Sequence, residues 1–539
     1  MRRRACLPRD PSRRAMCLGA LWGLAAGLAV TLYSQIQPRL NETPEMFFTG
    51  APQGQDQWVY FSMIRALWRS PNGLTYCYPF TLFWSTPAVM FQAHFTVLAW
   101  IARLTGLPAA FEIGRVAGAA VCGSAIGFIG AKLCPGARWR KWFWIALVLG
   151  GGWFTWGAAG LAIEVAGVDG LTEWAEYVPR FMGPLYSWLP FVLENITLPI
   201  EPIYHAVLFC AMAALMARRN KLALGLGLAA WFSHPFTAAA LTMPVLAWWA
   251  WAALTASGRE RRDCIWNLAG WTAITALAIG YYHVLLGQWE GLRELAKLYK
   301  IPVTGMLSPV KLLLLVCPWF AGLIWSVFTS AGRRRVWGRP AWRLFGLLAA
   351  TQLVLLMQGI ALGERAIQPF HYNRGCLEFG LVVVFWRAAT SWAQDRRIVP
   401  VWLIVAVSLT LPDQALFFLR SLGGVWVGFA SRDYAGILSA TNSYPPGRLI
   451  LNEIIGTGLI ISAFSDHVPY DAPESMVVPF WKERADILHR ALNGEGRTVR
   501  DLGVDLAIVD KQQEMIEKLA TQGWRTVTQR GRFVLMAPP

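Results

Sequence analysis

Asp56 lies between Gln55 and Gln57 and opens a stretch in which Tyr60, Ile64 and Leu67 recur at helical spacing. A carboxylate there can cap a helix through its first free N–H groups. It can equally deprotonate an acceptor hydroxyl, or hold a divalent cation such as Mg or Mn beside a phosphate leaving group. Arg365 and Arg374 flank a segment that carries Pro369, His371 and Tyr372, and Arg115 opens another apolar segment. Guanidinium forks match phosphate oxygens, so these three arginines are candidates for holding a phosphate, against the plainer role of snorkelling to lipid headgroups. Tyr60, His371, Tyr372, His205 and His234 are candidate substrate contacts. A lone histidine at the mouth of an apolar segment is more often structural. If the chain binds a metal, Asp56 is the ligand to expect.

These residues need a scaffold, and composition says what kind. Of 539 residues 55% are hydrophobic and only 15% charged, with a mean hydropathy of +0.40. A water-soluble chain of this length rarely looks so, and lipid is the expected solvent for most of it. The net charge of +17 does not mark a nucleic-acid binder, because the arginines cluster in short intervals between apolar stretches. The 29 Trp residues suit aromatic belts at the two membrane interfaces. The cysteines fall mostly in or beside apolar segments, which indicates neither a disulfide framework nor a Cys metal site. No GxGxxG, Walker A, HExxH or CxxC signature occurs.

Segments 16–34, 113–134, 142–161, 201–217, 221–233, 235–256, 264–286, 309–331, 342–362, 375–393 and 398–418 are apolar enough to cross roughly 30 Å of hydrocarbon, about eleven crossings in all. The first lacks a clear cleavage site and reads as a retained helix rather than a signal peptide. With the N-terminus inside, every second interval is basic: Arg138, Arg140 and Lys141; Arg218, Arg219 and Lys221; Arg259, Arg261 and Arg262; Arg333 to Arg335 and Arg339; Arg396 and Arg397. That alternation fits eleven crossings and not ten, and places the C-terminal tail on the extracytoplasmic side.

The expected fold is therefore an α-helical polytopic membrane protein with a C-terminal soluble α/β domain. The division is 1–420, a transmembrane domain with a long first extracytoplasmic loop at 35–112, and 421–539, an extracytoplasmic domain. Segment 80–106 is apolar, but Pro79 and Pro87 interrupt its start, and it is expected along the outer surface. In the tail, 449–451, 459–463, 504–509 and 533–536 read as strands, with helices over 479–492 and 512–522.

One N-terminal helix, a long outer loop with an early acid at Gln55-Asp56-Gln57-Trp58, apolar interfacial segments over 83–106, Arg115 opening the next span and a soluble outer domain together resemble the GT-C class of membrane glycosyltransferases. That class includes protein O-mannosyltransferases, aminoarabinose transferases and oligosaccharyltransferases. The resemblance covers the chain as architecture and about 60 residues as motif. Many members carry paired acids where this chain has Gln on both sides of Asp56. The resemblance implies a polyprenyl-phosphate-linked sugar donor, transfer on the outer face with inversion, Asp56 as base, and Arg374 or Arg365 against the leaving phosphate. Membrane lipids and a glycan, lipid or protein of the cell envelope are the implied partners, without nucleic acid. A bacterial inner membrane is the expected location. A transporter or lipid flippase, and a non-catalytic assembly scaffold, are the rival readings.

Overall fold

The structure is a computed structural model that describes residues 11–52, 55–81, 87–134, 137–149, 152–167, 199–298, 314, 317–362, 376–392, 401, 404–413, 428–452, 457–470, 480–511 and 514–539. In chain order the helices begin with α1 (Pro11–Leu40), α2 (Gln55–Arg69), α3 (Ala93–Thr105), α4 (Leu107–Leu133), α5 (Ala137–Leu149) and α6 (Phe154–Ala166). They continue with α7 (Glu201–Met216), α8 (Asn220–Trp231), α9 (Pro235–Thr255), α10 (Gly258–Ile279), α11 (Glu290–Leu298), α12 (Phe320–Phe328), α13 (Pro340–Leu362) and α14 (Cys376–Trp392). The apolar helix α15 (Ile404–Asp413) follows. The last are α16 (Arg432–Ala440), α17 (Thr457–Phe464), α18 (Trp481–Leu492) and α19 (Met515–Thr521).

Among the described residues five helices are long and apolar enough to cross a membrane: Ser12–Leu40, Leu107–Leu133, Pro235–Thr255, Gly258–Gln288 and Pro340–Gln358. The chain is accordingly a multi-pass membrane protein. Some of the expected spans come out differently. The segment 142–161 is not one helix, because α5 ends at Leu149 and α6 begins at Phe154. Gly150, Gly151 and Gly152 lie between them, and three glycines in a row have the poorest helix propensity short of proline. Helix α8 has 12 residues, about 18 Å of rise, well short of roughly 30 Å of hydrocarbon. It is distinct from α9, which starts afresh at His234-Pro235 with the imidazole as its cap.

By contacts the chain divides into two compact units, one of 1–31, 113–278 and 300–423, the other of 32–112, 279–299 and 424–539. The first long loop, 32–112, and residues 279–299 thus group with the tail from 424 onward.

In the first unit, small residues set the helix spacing. A Cβ on Gly19 would lie 2.0 Å from the Gly123 carbonyl oxygen, and one on Gly23 would lie 2.0 Å from that of Ala119. The reverse holds too, with Gly123 meeting the Gly19 oxygen at 2.1 Å and Gly127 that of Ala15 at 2.3 Å. Both helices thus carry small residues every fourth position and meet backbone to backbone, the close approach that drives helix association where lipid removes the hydrophobic effect. Elsewhere in the unit the Thr155 N–H donates to Asp413 Oδ1 at 2.6 Å and the Trp156 indole to the Leu409 carbonyl at 2.7 Å. Gln352 reaches the Ala240 carbonyl at 2.9 Å, so buried polar groups on these helices are spent on interhelix bonds.

The second unit is built on a five-stranded sheet in the order β4 (Val468–Pro469), β3 (Leu449–Asn452), β5 (Leu506–Asp510), β7 (Phe533–Ala537), β6 (Arg525–Arg530). The first three strands run parallel and the last two pairings are antiparallel. Central β5, Leu-Ala-Ile-Val-Asp, is buried throughout, as a strand covered on both faces should be. Edge strand β6 is mostly exposed and bulges between Thr526 and Thr528, which protects an open edge. Strands expected at 449–451, 504–509 and 533–536 lie within or overlap β3, β5 and β7. The strand expected at 459–463 is instead helix α17. Its sequence Thr-Gly-Leu-Ile-Ile-Ser-Ala-Phe is apolar nearly all round, and a short apolar run has no period to separate helix from strand.

Helix α17 is where the first loop meets the tail. Ser62 of α2 and Ser462 of α17 share a buried hydroxyl–hydroxyl bond of 2.6 Å. Arg65 donates to the Ala463 carbonyl at 2.6 Å, Arg69 to that of Ser465 at 2.8 Å, and both pair with Asp466 at 3.2 and 3.3 Å. Phe61 of α2 packs edge-on against both Phe464 of α17 and Phe111, and Tyr60 packs against Phe95. Strand β1 (Met46–Phe48) pairs antiparallel with β2 (Phe429–Ser431). Helix α3 follows the loop; its 13 residues rise about 20 Å, too little to span. His94 at its start is buried, and burial takes its imidazole down to about 3.

Two stability expectations follow. Asp466 is 60% exposed, and both arginines keep carbonyl partners without it, so Asp466→Ala costs less than about 1 kcal/mol in thermal unfolding. His467 is buried, its Nε2 donating to the Thr441 carbonyl at 3.0 Å. Desolvation lowers its pKa most; the Thr441 bond comes next and raises it, followed by Arg69, which lowers it, Asp466, which raises it, and Arg448, which lowers it, with a net lowering. An unfolded histidine titrates near pH 6.5. Below that pH the unfolded chain takes up a proton that the folded chain refuses, so stability is level above about pH 6.5 and falls as pH drops below it. His467→Gln should flatten the fall between pH 7 and 5. Asp501, held below its usual range by the Thr498 N–H and hydroxyl, acts only at lower pH.

Candidate functional site

Asp56 sits in the first turn of α2 with its side chain exposed. The next residues turn sharply inward: Gln57 and Phe61 are fully buried, and Trp58 and Val59 nearly so. The Trp58 indole donates to Thr49 Oγ1 at 3.0 Å, which itself donates to the Gly428 carbonyl at 2.8 Å. An exposed carboxylate thus stands at the end of a helix fixed along most of its length, and it is favoured there by the helix dipole. It lies inside the first turn rather than before it. Tyr60 is half-buried, its ring 5.6 Å from Phe95 and stacked 6.3 Å from Phe111.

Arg115, His205 and His234 belong to the other unit, where each has a defined setting. Arg115 is fully buried on α4. Three residues on, Gly118 is so close to α7 that a Cβ would lie 2.6 Å from the Pro202 carbonyl carbon. Helix α4 therefore crosses α7 one turn from Arg115 and beside Glu201. His205 Nδ1 lies 2.9 Å from the Glu201 carbonyl oxygen and 3.3 Å from its carboxylate, with both side chains only 1% exposed. The ring of Tyr204 stacks on that of His234 at 4.3 Å and 15°. His234 Nδ1 caps α9, taking the Thr237 N–H at 3.3 Å with the Thr237 hydroxyl at 2.8 Å.

His205 and His234 are thus gathered with Tyr204 and Glu201 at the start of α7 and α9. Glu201 was legible as the i, i+4 partner of His205 on a helix face. Arg365, His371, Tyr372 and Arg374 lie outside the described residues. Among the described residues no three His, Cys, Asp or Glu side chains are grouped as metal ligands.

No protein-family model matches the sequence, and no curated protein matches it significantly. The solved structures it resembles are GT-C glycosyltransferases. One is ArnT from Cupriavidus metallidurans bound to undecaprenyl phosphate, at 14% identity and TM-score 0.48, covering 96% of this chain and 97% of that one. Another is the archaeal oligosaccharyltransferase AglB from Archaeoglobus fulgidus in complex with an inhibitory peptide and a dolichol-phosphate, at 13% identity and TM-score 0.42, covering 92% and 70%. A third is the arabinofuranosyltransferase AftD from Mycobacteria, at 14% identity and TM-score 0.43, covering 97% of this chain and 40% of that one. Likenesses this distant assign no residue of this chain a role.

Proposed function

We propose that the chain is an integral membrane glycosyltransferase that moves a sugar from a polyprenyl-phosphate-linked donor to a cell-envelope acceptor on the extracytoplasmic face. The supporting observation is the exposed Asp56 carboxylate, presented by a helix whose following residues are buried. In this reading the N-terminus lies in the cytoplasm and the loop and tail lie outside a bacterial inner membrane, as the alternation of basic intervals suggests. Asp56 takes the proton of the acceptor hydroxyl as its oxygen attacks the anomeric carbon. The bond from that carbon to the donor's phosphate oxygen breaks, the phosphate leaves with the electron pair, and the configuration of the anomeric carbon is inverted. Arg374 or Arg365 neutralises that phosphate, and Arg115 is a weaker candidate for the same task. A divalent cation would need Asp56 and the donor's own phosphate oxygens as ligands, the way Mg is commonly held at phosphate sites.

The buried Glu201–His205 pair favours a second reading, a transporter or flippase, because ionisable groups inside spans often line a substrate path. The two are separated by incubating purified protein with radiolabelled polyprenyl-phosphate sugars and an envelope extract. Labelled acceptor supports the transferase. Donor translocation across liposomes without any labelled acceptor supports the transporter, and neither result would leave an assembly scaffold.

A further inference from the structure

In the first unit the π-helical turn Arg333–Trp337 lies between α12 and α13. Aromatic rings hold it on α9. Trp337 stacks on Trp251 at 5.9 Å and 15°, and the Trp248 indole donates to the Pro340 carbonyl at 2.9 Å. Arg343, only 8% exposed, donates from Nε to the Trp337 carbonyl at 2.6 Å, with its guanidinium 4.9 Å from the Trp251 ring. The turn and the start of α13 are therefore a fixed frame.

Arg387 lies against that frame, about 8 Å of helix rise from the end of α14. Its guanidinium is 5.0 Å from the ring of Trp342. Trp342 is three residues on from Arg339, whose carbonyl accepts the Arg343 N–H at 2.9 Å and opens α13. The charges that press on Arg387 are Arg339 and then Arg335, both repelling, and no carboxylate is among them. Its Nε is shut off from solvent and makes no hydrogen bond. Arginines at a membrane edge ordinarily snorkel apart into water. Here Arg387 is held half-buried beside two exposed arginines, and like charges so placed are costly unless an anion lies among them.

The surroundings say which anion. Guanidinium forks match phosphate oxygens, and these three stand at or near the end of the span Pro340–Gln358, where headgroups lie. Next to them the surface is apolar. Trp392 of α14 is 48% exposed and packs on Trp325 of α12 at 5.8 Å, and Phe328, one turn beyond Trp325, is 76% exposed. Acyl chains cover such rings, whereas a small soluble anion leaves them bare. We propose that this basic end is a binding site for an anionic phospholipid, its phosphate among Arg335, Arg339 and Arg387 and its chains along Phe328 and Trp392. In the topology read from the basic intervals this is the cytoplasmic leaflet. The site holds whether or not the chain transfers a sugar.

The purified full chain in a neutral detergent is titrated with phosphatidylglycerol or with phosphatidylcholine of the same acyl chains, and bound lipid is counted by native mass spectrometry. Phosphatidylglycerol should bind roughly tenfold more tightly or better, the scale of one lost charge-assisted bond. Arg387→Gln abolishes that preference, and so does Arg335→Gln combined with Arg339→Gln. The latter two side chains are exposed, so the double variant decides if Arg387→Gln fails to fold. Arg259→Gln with Arg261→Gln, in another basic interval, leaves the preference intact. The proposal is overturned if phosphatidylcholine binds as well, if the double variant at 335 and 339 keeps the preference, or if the variant at 259 and 261 loses as much of it. It is also overturned if inorganic phosphate at the lipid's own concentration displaces the lipid, which would mark a site for the free anion.

Discussion

Asp56→Asn is expected to lower the rate of sugar transfer by roughly two to four orders of magnitude, the range that general-base groups supply. Asparagine keeps the shape and the hydrogen-bonding capacity at the helix start but cannot take a proton. The fold should survive, because the side chain is exposed and the residues that anchor α2, from Gln57 to Leu67, are untouched. Loss of the negative charge at the helix N-terminus costs only about 0.3–1 kcal/mol. The lost rate should therefore appear in kcat with little change in donor KM, a split that separates a lost base from a lost binding contact. Unchanged transfer in a folded variant would move the chemistry away from Asp56.

The second large effect is structural. Gly123→Leu should disrupt the packing of α1 on α4, because its Cβ would enter the Gly19 carbonyl at 2.1 Å. The obstacle is backbone, so no rotamer change can relieve it. Overpacking typically costs about 1–3 kcal/mol and more where nothing can yield, so a loss of ~3 kcal/mol or more is expected here. Size-exclusion profiles after graded heating in detergent would show it as early aggregation. Gly225→Leu is the control: no atom lies within 4 Å of the position its Cβ would take. Equal behaviour of the two variants would mean that α1 and α4 do not depend on their close approach.

The elements read from local pattern came out where the pattern was strong. Periodic apolar residues placed α2 and its acidic first turn, and long apolar runs placed the spans that dominate the first unit. Strands flanked by polar turns were legible at β3, β5 and β7. Leu459 to Ala463 was misread because an apolar run without polar breaks carries no period. The Gly19, Gly23, Gly123 and Gly127 crossing was present as fourfold spacing, but its partner helix is far away in sequence. The pairing of α2 with α17 had no local signal at all, since Ser62 and Ser462 look like ordinary helix serines until their hydroxyls meet. The constraint on His467 was invisible for the same reason.

That serine pair spans 400 residues of chain, and the separation matters during synthesis. At about 5–20 residues per second, roughly 20–80 s pass between the making of α2 and the making of its partner. Throughout that interval Arg65 and Arg69 lack the carbonyls of Ala463 and Ser465, and the sheet that carries them does not exist. The helix bearing Asp56 is among the first parts translated, and its contacts with the tail are among the last that can form. A chain halted before α17 would hold α2 by contacts within the first loop, such as those with Phe95 and Phe111, without the partners that the tail supplies.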